Sequence, residues 1–360
     1  MIDGISRWNF KTLSRSKDPQ VVDLSDKQRG KVEKYEKALV IASESKVAAP
    51  YISNYFVKEG IVAEFQDGLV IEKPAGNIEY ARNRAVHGEE AAVVAYRAAI
   101  SELGVLPENR REELVLGIVA GNPGNIPSPC GNCRDVMIDG FGVDDGFEIV
   151  SGTAEGGLAM VVPMDMFTFD PQDQVDINSR SRKKVVDSLG MSKNDFLEIV
   201  SRTLKEGKRL ANDAYATPTV KPERKYYATI ATDKKLFHGA ADVMVDYHPI
   251  HALRDAIRQA RRENDSSMQS IVVVAEEPNV KPDVMYMDRQ HSVEFKLQGE
   301  LDSGHEKNPP VFLVGHDDGG KITTVHKTSI NEWLPFAFNP RNFGPEFLQF
   351  LGDFYKGRGK

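Results

Sequence analysis

Four residues of this 360-residue chain have types and spacing that could do chemistry: His87, Glu89, Cys130 and Cys133. The two cysteines are the only ones present. One imidazole and two thiolates suit zinc, a borderline-soft ion. Three protein donors leave a fourth position for water, whose pKa falls to about 7 when zinc binds it. A hydroxide nucleophile then exists at neutral pH, and a carboxylate two residues after the histidine can carry its proton. A Cys-x-x-Cys pair alone also fits a redox pair or two buried thiols. With His-x-Glu upstream, and each motif opening a predicted helix after a strand, the metal reading is preferred. A structural zinc would want a fourth ligand, and no further cysteine exists to supply it.

The elements that must position these groups follow from pattern. Residues up to about Ser25 are polar and mixed, with Trp8, Phe10 and Leu13 as apolar anchors, and read as an N-terminal arm. From Ser25 to Ser45 the apolar positions Val32, Tyr35, Ala38, Leu39 and Ile41 recur at helical spacing, with Ser25 or Asp26 able to cap the helix. Gly60 to Phe65 and Gly68 to Glu72 read as strand, turn and strand. Ala91, Ala92, Ala95 and Ala98 give the helix after His87 a small-residue face for close packing. The charged stretch from Leu103 to Leu114 reads as a surface insertion. Leu114 to Ala120 is a continuous apolar run, a buried strand. It leads into the Gly/Pro/Asn loop that delivers Cys130. Phe147 to Val150 and Ala159 to Val162 are further strands, and the alternation predicts a layered α/β domain.

In chain order, Ala49-Pro50-Tyr51-Ile52-Ser53-Asn54-Tyr55, Asn77-Ile78-Glu79, His87-Gly88-Glu89 and Pro129-Cys130-Gly131-Asn132-Cys133-Arg134 resemble the free-nucleoside cytidine deaminase family. The resemblance implies a three-layer α/β/α fold with a mixed sheet. It implies zinc on His87, Cys130 and Cys133, and Glu89 as catalytic proton shuttle in the hydrolysis of cytidine or deoxycytidine to the uridine product and ammonia, a step of pyrimidine salvage. It also implies ribose contacts from Asn77 and Glu79, a pocket role for Tyr55, and a main-chain acceptor near Ser128 for the amino group. Asn77 and Glu79 alternate about Ile78 and so face one side, as a vicinal diol needs; by itself the pair also fits a plain polar loop. The chain departs from the family at Gly88, where alanine is usual, at Ile52, and at Lys58 and Glu59, where small residues are usual.

The second half repeats the first weakly. His251-Ala252-Leu253 stands where His87-Gly88-Glu89 stood, and Met285 and Asp288 fall where the thiolates were. That unit would keep the fold and lose the metal, with His251 a structural histidine. Two-domain members of the family share this plan as homodimers. Their C-terminal Leu-Pro-x-x-Phe segment resembles Leu334-Pro335-Phe336-Ala337-Phe338, which makes Phe338 a base contact to the partner's site or else a core plug. The expected organisation is an arm (1–30), a zinc-dependent deaminase domain (31–172), a linker (173–193) with the polar, basic run Ser179-Arg180-Ser181-Arg182-Lys183-Lys184, and a degenerate deaminase-like domain (194–360).

The formal charge of −7 argues against a polynucleotide partner, since phosphate binding relies on clustered Lys and Arg. No run approaches the ~18 apolar residues of a membrane span. Two cysteines without a disulfide framework, and an opening stretch without an apolar run, predict a reducing, cytoplasmic setting. The expected partner is a small pyrimidine nucleoside. The rival readings are another cytosine-containing substrate, either a modified nucleoside or a polynucleotide, and a catalytically idle binding protein.

Overall fold

The computed structural model describes residues 6–14, 20–46, 48, 56–81, 84–104, 111–120, 126–142, 146–167, 173–214, 226–241, 251–276, 282, 284–317 and 321–334. They fall into two compact units, residues 6–167 and 173–334.

The first unit runs β1 (Trp8–Leu13), β2 (Val21–Asp23), α1 (Asp26–Arg29), α2 (Val32–Glu44), β3 (Val57–Phe65), β4 (Val70–Gly76), β5 (Ile78–Ala81), β6 (Arg84–Val86), α3 (Gly88–Leu103), β7 (Arg111–Ala120), α4 (Gly131–Phe141), β8 (Phe147–Thr153), β9 (Gly157–Pro163) and α5 (Met164–Phe167). Seven strands form one sheet in the order β2-β1-β9-β8-β7-β3-β4. β7 and β8 are parallel, while β3 runs antiparallel to both β4 and β7. Period-two alternation divides the sheet between two cores. Ile61, Ala63, Leu114, Leu116 and Ile118 face one way, against Ala92 and Tyr96 of α3 and Met137 and Phe141 of α4. Val62, Val115 and Val119 face the other way, against Tyr35, Ala38 and Leu39 of α2. The result is a three-layer α/β/α unit with a mixed sheet.

The N-terminal arm expected from sequence is part of this sheet. β1 pairs in parallel with β9, from Trp8 opposite Gly157 to Thr12 opposite Val161. Trp8 is buried, and its indole N–H donates to Thr153 O at 3.0 Å. The helix expected over residues 25–45 is divided at Gly30, with Ser25 capping α1 and α2 starting at Val32. Along α3, Ala92 is buried and Ala91 and Ala95 pack against the core, but Ala98 is exposed and Ala99 takes the buried position. The stretch 105–110, at the heart of the expected insertion, lies outside the described residues.

The second unit runs β10 (Asp173–Gln174), α6 (Arg182–Leu189), α7 (Lys193–Ala214), β11 (Tyr226–Thr232), β12 (Leu236–Ala240), α8 (Ala252–Arg262), β13 (Met268–Ala275), α9 (Tyr286–Ser303), β14 (Pro310–His316), β15 (Ile322–Ser329) and α10 (Ile330–Trp333). Its sheet order is β10-β15-β14-β13-β11-β12. The run β15-β14-β13-β11-β12 matches β9-β8-β7-β3-β4 strand for strand, and every pair has the same relative direction. The fold is duplicated. The segment expected to be a linker belongs to this unit: Val175, Ile177, Val185 and Leu189 pack into its core beside Phe196 and Phe312. The basic run there opens α6, whose first turn Ser181 caps by accepting from Lys184 N–H.

Candidate metal centre

Two chain turns bring the donors together. The β5–β6 hairpin runs into His87, which has extended backbone angles (φ −70°, ψ 157°) and is the N-cap of α3. β7 runs to the loop before Pro129, and Cys130 (φ −71°, ψ 171°) is the N-cap of α4. Cys133 follows one turn later on the same face. The first-turn N–H groups of a helix carry partial positive charge, so this end favours thiolate.

The three donor atoms converge. His87 Nδ1 lies 3.2 Å from Cys133 Sγ and 3.4 Å from Cys130 Sγ, and the two sulfurs are 3.2 Å apart. Zinc bonds of about 2.3 Å to sulfur and 2.0–2.1 Å to nitrogen put tetrahedral edges at about 3.6–3.8 Å. The set fits such an ion after opening by a few tenths of an ångström. No other group of three His, Cys, Asp or Glu donors gathers this closely among the described residues. Cys133 is buried, Cys130 half-buried and His87 exposed, so the cluster meets solvent on its His87 side.

Protonation follows from these contacts. The hydrogen bond with Cys130, whose thiolate charge adds to it, holds His87 up at about 9. Hydrogen bonds to Cys133 and to His87 pull Cys130 down to about 4. Burial, and then the hydrogen bond with Cys130, pushes the Cys133 thiol well up.

Glu89 is buried at the second position of α3, and Cys133 Sγ donates to its Oε2 at 3.1 Å. Burial raises its carboxyl, and the Cys130 charge adds to this. Below the helix start lies a second acid. Glu59 on β3 is fully buried, and neither of its carboxyl oxygens has a hydrogen-bond partner. Burial and the neighbouring Glu89 push it well above the usual carboxylate range. A Cβ at Gly88 would lie 1.8 Å from Glu59 Oε1 and 2.2 Å from its Cδ. The two family departures noted in the sequence, Glu59 and Gly88, are therefore one arrangement: the carboxyl occupies the space of the missing methyl.

The remaining expected site residues fall as follows. Asn77 is buried ahead of β5, and its Oδ1 accepts from Val57 N–H at 3.0 Å, fastening the start of β3. Glu79 is half-buried on β5, two residues on. Ser128 is half-buried in the loop before Pro129. Tyr55 and Phe338 lie outside the described residues. Sequence reasoning gave Glu90, Asn132 and Arg134 no role in holding the centre. Arg134 is fully buried; its Nε donates to Pro129 O at 3.2 Å and its Nη1 to Phe167 O at 3.1 Å, so it anchors the cysteine loop to α5. A charged residue directly after Cys-x-x-Cys on a helix with a buried face was the available signal.

The second unit has the same positions with other chemistry. His251 is the N-cap of α8 and Met285 the N-cap of α9. His251 Nδ1 hydrogen-bonds Asp288 Oδ2 directly, at the place of the His87–Cys133 approach. Leu253, at the Glu89 position, is buried. Arg289 repeats Arg134, donating from Nε to Val284 O at 2.9 Å and from Nη1 to Trp333 O at 3.2 Å.

No protein-family model and no curated protein matches the chain. Solved structures do. A cytidine deaminase from Burkholderia pseudomallei is 27% identical over 36% of this chain and 89% of its own, with a TM-score of 0.26. One from Mycobacterium leprae is 25% identical over 36% of this chain and 92% of its own (TM-score 0.25). One from Mycobacterium tuberculosis is 26% identical over 31% and 80% (TM-score 0.22). TM-scores of this size add no weight to the chain's own geometry.

Proposed function

We propose that the chain is a zinc-dependent hydrolase that deaminates cytidine or deoxycytidine, working in its first unit, while the second is a degenerate deaminase-like domain. The observation that carries this reading is the convergence of His87, Cys130 and Cys133 beside a buried carboxylate, Glu89, at the starts of two neighbouring helices. Zinc on these donors supplies a water acidic enough to act as nucleophile near neutral pH. Glu89 moves the protons: its buried carboxylate takes one from the attacking water and passes it to the ring nitrogen, then takes the second from the hydroxyl added to the ring carbon and delivers it to the departing amine. Its raised carboxyl suits that exchange. The balance is cytidine plus water to uridine plus ammonia.

The positioning roles are assigned to the residues that carry the sequence resemblance. Asn77 and Glu79 address the ribose hydroxyls. The main chain near Ser128 accepts from the cytosine amino group. The nucleoside-pocket role of Tyr55 and the base contact of Phe338 in a homodimer rest on the sequence resemblance alone. The free thiols fit a reducing, cytoplasmic setting, and no described helix is long and apolar enough to cross a membrane. The departures at Glu59 and Gly88 motivate a second reading, in which the substrate is a different cytosine compound.

Replacing Glu89 by Gln keeps the donor set and removes the proton carrier. Glu89→Gln is expected to bind zinc as wild type does and to lose at least about a thousandfold in turnover, within the usual reach of acid–base catalysis. Retention of most of the wild-type rate would rule out the mechanism.

A further inference from the structure

We propose that Glu90 and Asn132 form a clasp that presets the spacing of the metal donors. This rests on the reading of His87, Cys130 and Cys133 as the zinc set. Glu90 is the third residue of α3, and Asn132 sits between the two cysteines of α4. One carboxylate serves both helix starts: Glu90 Oε2 accepts from His87 N–H at 2.9 Å, and Glu90 Oε1 accepts from Asn132 Nδ2 at 2.6 Å. The first bond fixes the backbone of the imidazole donor. The second ties that backbone to the turn that carries both thiolates.

The rest of the α3–α4 contact is aligned by other means. Arg97 Nε donates to Gly140 O at 2.9 Å at the far end of α4, and Val93 packs where a Cβ on Gly140 would sit, 2.3 Å from its Cγ1. The helices would lie side by side without the clasp. What the clasp adds is a direct tie between the two helix ends that bear the donors.

The second unit provides an internal control. With His251 and Met285 at the matching N-caps, Arg254 and Met287 occupy the clasp positions. A guanidinium and a thioether cannot make a carboxylate–amide bridge. In that unit the thiolates are also gone, while the anchoring arginine is retained with its bonds to the loop carbonyl and to Trp333 O. The arginine anchor therefore goes with the fold, and the clasp goes with the donor set. Glu90 and Asn132 are positioning residues that act through His87, Cys130 and Cys133.

The test is zinc release from the loaded full-length chain into excess colorimetric chelator, together with the melting temperature of each metal-free chain. Loss of such supporting contacts costs about 10–100-fold in metal affinity. Asn132→Ala and Glu90→Ala are each expected to speed release about tenfold or more. The double variant should release no faster than Glu90→Ala, because one bridge is broken once. Asn132→Ala should leave the metal-free melting temperature near wild type, which a purely structural role would not. If Glu90→Ala fails to fold, Asn132→Ala reads the bridge alone. Release within twofold of wild type in the folded variants, or effects that multiply in the double, would overturn the clasp while leaving the donor set standing. A wild-type chain that takes up no zinc would overturn both.

Discussion

At neutral pH the three donors of the metal-free site are not in the same protonation state. Cys130, pulled to about 4, is a thiolate, whereas His87, held at about 9, and Cys133, pushed up by burial, keep their protons. Zinc takes a neutral imidazole and two thiolates, so loading must expel two protons. The sign is then fixed. Between about pH 5 and about pH 9 apparent zinc affinity should rise with pH, by about 100-fold per unit for a two-proton exchange. Above the His87 value the slope should fall to one proton, from Cys133. Chelator competition across pH checks this, and a flat profile would mean that the donors are already deprotonated. At this scale the sequence was readable for a physical reason. Cys-x-x-Cys spans a single helical turn, so its spacing implies a shared face, and His-x-Glu puts an imidazole and a carboxylate within two residues of one helix start. Glu59 was not readable in that way. A glutamate on a strand carries no mark of burial, and its meaning depends on Gly88, 29 residues further on.

Between elements, the critical contact is α3 against β3. The carboxyl of Glu59 lies under the first turn of α3, in the volume of the absent Gly88 side chain. Gly88→Ala alone forces a methyl into that carboxyl and should destabilise the first unit by about 1–3 kcal/mol, the usual cost of overpacking. Glu59→Ala in the same chain vacates the space and removes a buried, unpartnered acid, so the double variant should recover the lost stability. Thermal unfolding of the two variants reads this directly; a double variant no more stable than Gly88→Ala would show the contact to be loose. The central strands were legible as apolar runs, since Leu114 to Ala120 is buried without a break. The edges were not. β1 pairs with β9 across about 150 residues of chain, and six residues of mixed polarity do not announce a partner so distant. The stretch expected to be a linker is polar on its surface, yet Val175, Ile177, Val185 and Leu189 carry it into a core. β14 and β15, which pattern in the second half did not single out, complete the second sheet.

Over the whole molecule, one topology is used twice with different chemistry at the same helix ends. His251 and Asp288 are joined by a hydrogen bond where the first unit gathers three metal donors. The duplication was faintly legible in sequence because a histidine at one N-cap (His87, His251) and an arginine in the first turn of a later helix (Arg134, Arg289) survive in both halves. Strand order and direction, which make the repeat plain, follow from pairing between segments far apart in the chain. Zinc should therefore load at one ion per chain. The central claim is tested most directly by an ultraviolet assay of the purified, zinc-loaded chain with cytidine. Steady conversion to uridine with ammonia release at one zinc per chain is the predicted result. A chain that holds its zinc and turns over neither cytidine, deoxycytidine nor any other cytosine compound would contradict the account.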